Sequence, residues 1–541
     1  MASIDINAFD GMQPVVDPIL LEANKATMAR NVLLNSGTLA PLLGTTTLKA
    51  LTKTAPKTIW RYGTSSTETD YWFEFLNDTD VINSPLPADP YARAYWSDGV
   101  QVKYGPNSAL LTGSTYPGAS YDLGIPAPAA TPSMSGSAPS VASQGETRTY
   151  VYTYVSAYGE EGPPSAANTP AVVNPAAAVT VGNMSVAPSG SYNITLKRIY
   201  RSSTVGSSAQ FQFVAEIPVS QTSYTDTISQ ANLAEILPSE TWTAPPATLA
   251  GLKMMANGAC VGFVGNTVHF SEPNLPHAWP HKYPIEFQIV GLGVFGQTVV
   301  ALTNSFPVAL SGADPQAMSP ARMELPQSCV SKGSIVDTGD GVLYASPDGL
   351  VSIGSGGINV ITAKHATRKQ WQALNPSSFK AFMHDGRYIA TFTRADSTRG
   401  MLILDLSGSG PFWTQSDLNY NTAITAGYAD NRTDTLYLAQ GTSLVRYNQG
   451  SPLNAEWTSK TFRMSAPLNM GWAAVNAKAY PVLLTVYADG VQTDQITVAD
   501  ENPFRLSSGF KARDWVVDLY SSNEITRVRV ASSMEELKQL P

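Results

Sequence analysis

The sequence predicts an all-β fold: a β-propeller with a β-sandwich inserted into it and a second β-sandwich at the C-terminal end. Three observations lead there. Short runs of aliphatic, β-branched and aromatic residues recur at the spacing of strands, about 8–12 residues apart. Between Cys260 and Arg394 those runs stop at turn signals, namely Gly265-Asn266, Gly312 with Asp314-Pro315, Pro347-Asp348-Gly349 and Asp385-Gly386. Charged residues make up only 14% of the chain, against the ~25% usual for soluble domains. Ser, Thr, Ala, Asn, Gly and Pro fill the difference, as in a protein of strands and turns with little exposed helix. The unit that repeats is a short apolar strand such as VLYAS or YIATF, a turn and a second strand. That is the construction of a propeller blade, although no strict repeat period can be read off.

Residues 1–125 hold the N-terminal segment and the first blades. Asp17-Pro18 is a good helix opening, and Ile19, Ala23, Ala26, Arg30 and Leu33 fall near one face. A short helix is therefore expected between residues 17 and 33. The run from Asn31 to Gly44 predicts a hairpin turning at Asn35-Ser36-Gly37. Thr58 to Gly63 and Tyr71 to Leu76 place large aromatics at strand spacing, and Tyr91 to Gly105 turns at Asp98-Gly99. Residues 126–145 are rich in Pro, Ala and Ser and read as an extended linker.

Residues 146–240 form the inserted module. Tyr150, Tyr152 and Tyr154 alternate with Val151, Thr153 and Val155, and further strands follow at Tyr192 to Ser203, Phe211 to Ile217 and Thr222 to Thr227. Surface loops accept insertions of this kind. Residues 241–450 carry the remaining blades, including Met401 to Gln415 and Thr435 to Gly450. Residues 451–541 have longer strands: Pro481 to Gly490, Asp514 to Tyr520 and Ile525 to Ser533. Val528 and Val530 are expected inside the C-terminal sandwich, with Arg527 and Arg529 towards water. Ser533 with Glu536 suggests a capping box on a last short helix.

At 541 residues the chain is long enough for two to four domains. A formal net charge of −8 and a pI near 5.3 argue against reading nucleic-acid sequence through a basic face. DNA sliding past such a surface is still allowed. Cys260 and Cys329 lie in apolar runs and are expected as buried, unpaired thiols. The N-terminus has no basic start followed by an apolar segment, and no run approaches ~18 apolar residues. The chain is expected to be made and folded in a cytoplasm and to leave a cell by lysis or within a particle.

The search for chemistry yields no catalytic, cofactor or metal set. His277 and His281 have the i, i+4 spacing of a zinc-binding helix pair, but Pro276, Pro280 and Pro284 break that segment and position 278 is Ala278 rather than Glu. A structured loop with Trp279 packed beneath it is the simpler reading. Asp337 to Gly341 resembles a calcium loop faintly, yet Gly339 stands where an oxygen ligand is needed. Ser346 to Ile353 partly matches the Asp-box of propeller glycosidases without its later Gly and Trp. Both are read as turns. Glu160 and Glu161 sit between Gly159 and Gly162 and are read as a solvated hairpin tip. Asp385, Asp430 and Asp434 lie at turns, and nothing selects a pair of them for glycoside hydrolysis. No GxSxG elbow or phosphate-binding Gly-Lys-Ser/Thr loop is present.

Two resemblances add to this. The phrases TYVSAYGEEGPPS, KRIYRSS and TSYTDT resemble a fibronectin type III sandwich, but the strand pair ending in GEEGPPS, which normally comes last, here comes first. The module is either permuted or a sandwich of another topology. The opening FDGMQPVVDPILLEANKATMARNVLLNSGTLAPLLG, then HFSEPNLPHAWPHKYPIEF, YASPDGLVSI, FRLSSGFKARDWVVDL and VRVASSMEEL resemble the tail tubular or nozzle proteins of short-tailed bacteriophages. Apart from the inserted module, that resemblance covers most of the chain. It implies a non-enzymatic virion protein without cofactor. Such a subunit forms a homo-oligomeric ring, a hexamer being favoured, below the portal and its adaptor, and extends the channel for DNA ejection. Tail fibres or other tail proteins are implied partners. The alternative readings are a host-receptor-binding or fibre-attachment tail protein and, third, a propeller glycosidase.

Overall fold

The computed structural model describes residues 3–63, 71–205, 208–407 and 412–539. The fold is all-β, as expected, and its recurring piece is a four-stranded antiparallel meander of the propeller-blade type. The chain divides into two compact units, one of Met1–Asp78, Leu302–Val308 and Arg322–Pro541, the other of Thr79–Ala301 and Ala309–Ala321.

In the first unit, one meander comprises Val336–Asp337, Gly341–Ala345, Leu350–Gly354 and Gly357–Val360, and a second comprises Lys380–His384, Arg387–Thr393, Arg399–Asp405 and Phe412–Ser416. Residues 408–411, within the run expected from Met401 to Gln415, lie outside the described residues. The tight link between Lys380–His384 and Arg387–Thr393 follows from Asp385 and Gly386, at φ 49° and 68°. Two left-handed residues in succession match the twist of a two-residue hairpin, which Asp-Gly adopts at low cost. A third meander, Ile424–Asp430, Thr435–Gln440 and Ser443–Arg446, takes its fourth strand from far upstream. Thr46–Ala50 pairs with it, Ser443 opposite Ala50 and Arg446 opposite Thr46. The hairpin of Thr58–Arg61 with Trp72–Phe75 packs on this sheet through Ile59 and Trp72. The Trp72 and Tyr437 rings meet edge to face at 4.8 Å.

Two expectations for the N-terminal segment differ in outcome. The hairpin turning at Asn35-Ser36-Gly37 is present, with Val32 opposite Pro41, Leu33 opposite Ala40 and Gly37 at φ 76°. The helix between residues 17 and 33 is not. Asp17 caps a turn, its Oδ1 accepting from the Ile19 amide at 2.9 Å, and Ala26–Arg30 is a strand antiparallel to Ala455–Ser459. Sheet pairing from distant sequence overrides a weak helical stripe of small residues.

The C-terminal sandwich does not stand alone within residues 451–541. Ser3–Ile6 adds an edge strand to Ile525–Ala531, and Ala26–Arg30 joins Ala455–Ser459 to the blade strand Phe412–Ser416, giving a ten-stranded sheet. Val528 and Val530 are buried as expected. Arg527 is instead covered in part by Asp5, which it grips through two nitrogens at 2.7 Å each. The last helix, Met534–Gln539, begins with the Glu536 amide donating to Ser533 Oγ at 3.2 Å. The Glu536 carboxylate, however, takes the Ser532 hydroxyl. One apolar core, which includes Phe9, Trp371, Trp413, Trp457 and Trp515, runs through this unit.

The second unit has the meanders Asp80–Asn83, Ala94–Ser97, Val102–Gly105, Tyr121–Asp122 and Ala250–Met254, Cys260–Val264, Thr267–Phe270, His281–Pro284. A further meander is made by Ile289–Phe295, Thr298–Thr303, Val308–Ser311 and Ser319–Arg322, of which Leu302, Thr303, Val308 and Arg322 belong to the first unit. The inserted module sets the sheet of Tyr150–Ser156, Ile194–Val205 and Ser208–Pro218 against that of Ser133–Gly136, Val179–Gly182 and Tyr224–Asp226. Tyr150, Tyr152 and Tyr154 fill the space between them with Val179, Val181 and Ile199. Residues 126–145 are thus not all linker: Ser133–Gly136 pairs in register with Val179–Gly182 and belongs to the sandwich.

Candidate functional site

Glu160 and Glu161 are not a solvated tip. They are 5% and 4% exposed and point to different partners. Glu160 accepts from Arg93 Nη1 at 2.7 Å, from the Tyr104 hydroxyl at 3.0 Å and from Ser156 Oγ at 3.1 Å. Burial raises its carboxyl above the ordinary range, with Arg93 opposing the rise. Glu161 accepts from Thr153 Oγ1 and the Tyr200 hydroxyl, each at 2.7 Å, and from Arg198 Nη1 at 2.8 Å. Two glutamates between glycines suggest exposure. The partners that bury them lie up to 67 residues away, beyond the reach of any local pattern.

The turn aspartates are likewise engaged. Asp430 is ion-paired to Arg61, both side chains being 2% exposed, and to Arg432. Burial would raise the Asp430 carboxyl, but the bonds from Arg432 and Arg61 outweigh it and hold the group low. Asp385 pairs with Arg387 at 2.8 Å, and Asp434 is a turn residue at φ 46°. A further ionic group escaped the sequence reading: Arg148, Arg201 and Asp226 are buried together in the inserted module, with Arg201 Nη1 2.7 Å from Asp226.

His277 and His281 do not share a helix. His281 starts a strand and its Nε2 lies 3.1 Å from Glu272 Oε1. His277 is buried edge to face against Trp242, and neither ring nitrogen has a hydrogen-bond partner among the described residues. Burial, with the Arg93 charge adding to it, lowers its pKa to about 3. Trp279 is buried and its indole donates to the Pro276 carbonyl at 2.7 Å. Asp337 to Gly341 is a turn closed by the Thr338 amide on the Gly341 carbonyl at 2.9 Å. Ser346 closes its Pro-Asp-Gly turn on Gly349, and the indole of Trp371, donating to the Ser346 carbonyl at 2.8 Å, supports it from beneath. Cys260 and Cys329 are buried free thiols, each pushed up to about 12 by burial. No group of three or more potential metal-ligating side chains occurs among the described residues.

A concavity of about 610 Å³ lies in the first unit. Lys57 precedes the strand Thr58–Arg61, Lys332 lies on the short turn Lys332–Ser334, and Lys380 opens the strand Lys380–His384. All three line the cavity together with Asp78, Phe379 and Phe382. Asp78 Oδ1 is 3.3 Å from Lys332 Nζ, and Lys380 Nζ donates to the Thr425 carbonyl. Burial holds the Lys380 ammonium below its ordinary pKa, with Asp78 opposing and Lys57 adding to the shift. Two glycines set the walls. A Cβ on Gly333 would lie 2.6 Å from the Phe379 carbonyl oxygen, and one on Gly427 would lie 2.6 Å from the Phe382 ring.

No protein-family model and no curated protein matches the sequence. Two solved structures are similar over 68% of this chain, each at 11% identity and a TM-score of 0.27. One is described as the mitotic checkpoint complex, with 92% of that chain covered, and the other as BBS1N in complex with ARL6DN, with 89% covered. Likeness of this degree bears on neither function nor partners.

Proposed function

We propose that this chain is a structural subunit of a short-tailed bacteriophage tail, a nozzle-type ring protein that forms part of the DNA-ejection channel below the portal and its adaptor. The observation that carries the reading is the set of phrases that resemble that family, from FDGMQPVVDPILL near the N-terminus to VRVASSMEEL near the C-terminus. The structure supports it indirectly. The candidate acids Glu160, Glu161 and Asp430 are spent in buried ion pairs, which suits a part that works through rigid shape. A net charge of −8 suits a wall along which DNA moves, because phosphate binding depends on Lys and Arg neutralising it.

The test is the mass of the purified chain in solution, by native mass spectrometry or sedimentation. A closed ring of about six copies, alone or on its portal-adaptor complex, supports the reading. A monomer or trimer that binds bacterial envelope directly would replace it with the receptor-binding alternative. Release of reducing ends from capsular polysaccharide would replace it with a glycosidase.

A further inference from the structure

We infer that the cavity bordered by Asp396, Arg399 and Tyr420 is a binding site for a neutral saccharide. It lies in the first unit and has a volume of about 440 Å³, within the ~300–1,000 Å³ of ordinary ligand pockets. Two turns build it. One, residues 394–398, joins the blade strands Arg387–Thr393 and Arg399–Asp405, and the Arg394 amide closes it on the Thr398 carbonyl at 2.8 Å. The other follows the strand Phe412–Ser416 and carries Tyr420. Asn419 ties the second turn to both strands of the first. Its buried Nδ2 donates to the Gly400 carbonyl at 3.1 Å and the Phe392 carbonyl at 3.4 Å, while Oδ1 accepts from the Ile424 amide at 2.8 Å. The walls are therefore in place before a ligand arrives, which lowers the cost of binding one.

The three side chains offer what a sugar ring needs. Arg399 Nη2 donates to the carbonyls of Tyr420 and Asn421, at 3.0 Å each. Those bonds orient the guanidinium, and its Nε and Nη1 make no hydrogen bond among the described residues. Asp396 Oδ1 accepts from the Thr398 amide at 2.9 Å and the Thr398 hydroxyl at 2.6 Å. The same bonds hold its carboxyl below the ordinary range, so it stays an acceptor, with Oδ2 open to a ligand. One guanidinium and one carboxylate sum to zero charge, and no ion pair joins them among the described residues. Neighbouring hydroxyls of a sugar, each able to donate and to accept, match such a separated donor and acceptor. Tyr420 is 56% exposed, and its ring meets no other aromatic ring among the described residues. The C–H face of a sugar is weakly positive and meets the negative face of such a ring. A charged ligand gains little here, because water and salt screen an exposed ion pair. A neutral polyol keeps its hydrogen bonds and adds the stacked face. The inference does not rest on the tail reading, since a free chain would hold the sugar as a ring subunit would.

The experiment is saturation-transfer NMR of the full chain with glucose, galactose, mannose and N-acetylglucosamine, and with glycine as a zwitterionic control. At least one sugar is expected to bind with a Kd of ~1–10 mM, with transfer strongest to the protons of one ring face. Its affinity is expected to hold between ~50 mM and ~500 mM salt, as for a neutral ligand. Tyr420→Ala is expected to weaken that sugar by about fivefold to tenfold, and Asp396→Asn several-fold. Because Tyr420 is more than half exposed, Tyr420→Ala leaves the melting temperature within ~2 °C of the parent and separates lost binding from lost folding. Glycine binding more tightly than every sugar, no sugar bound at ~50 mM, or affinity unchanged in both variants would overturn the inference.

Discussion

Arg93 Nη1 donates to Glu160 at 2.7 Å, tying the loop before the blade strand Ala94–Ser97 to the inserted sandwich. Both side chains are almost fully buried, and Asp89 holds the same guanidinium through its Nε at 2.8 Å. The pair fixes the inserted module to the blade that precedes it within one compact unit. Glu160→Ala leaves Arg93, Tyr104 and Ser156 without a shared acceptor. It is expected to cost about 3–5 kcal/mol, as for removal of one partner of a buried ion pair. Glu160→Gln keeps an acceptor for Tyr104 and is expected to cost less. Urea unfolding of both variants checks the order.

His277 sits in the same unit as a buried neutral imidazole. Its folded pKa of about 3 lies below the unfolded value near 6.5, so the unfolded chain binds the extra proton between those limits. Its contribution is complete above about pH 6.5 and is lost as pH falls towards 3. Asp430 and Asp405, both held low in the fold, add a second loss only below the ordinary aspartate range near ~4. His277→Phe is expected to fold with stability within about 1.5 kcal/mol of the parent and to flatten the decline between pH 6.5 and 4.5. Urea midpoints measured across that range show whether it does.

Trp371 anchors the turn at Ser346 through its indole and packs edge to face on Phe379 at 5.4 Å and Trp413 at 6.0 Å. Trp371→Ala is expected to destabilise the chain by about 3–5 kcal/mol, the range for removing a large buried aromatic. Trp371→Phe retains most of the packing and loses the hydrogen bond, for about 1–3 kcal/mol. Thermal melting separates the two.

The meanders were legible because their signals are local: alternation, Asp385-Gly386, Asp98-Gly99 and the Pro-Asp-Gly turn each act within a few residues. The placement of Ala26–Arg30 was not, since its strand state depends on Ala455–Ser459, more than 400 residues on. The same holds for Thr46–Ala50 completing a sheet whose other strands begin at Ile424. Ser133–Gly136 hid within a Pro- and Ser-rich stretch because it has no apolar alternation of its own; only Met134 packs against the module's core. Glu160 and Glu161 were misread for a related reason. Sequence around a carboxylate reports its turn, whereas its burial is decided by arginines and tyrosines brought in by tertiary folding. The lysine cavity had no sequence signal, as Lys57, Lys332 and Lys380 share no motif.

Cryo-electron microscopy of particles assembled in cells that produce this chain tests the proposed function. A closed ring of its copies on the tail axis beneath the portal and adaptor, with a channel wide enough for duplex DNA, is expected. Copies lying singly or in threes off the axis, or a particle that lacks the chain, would contradict it.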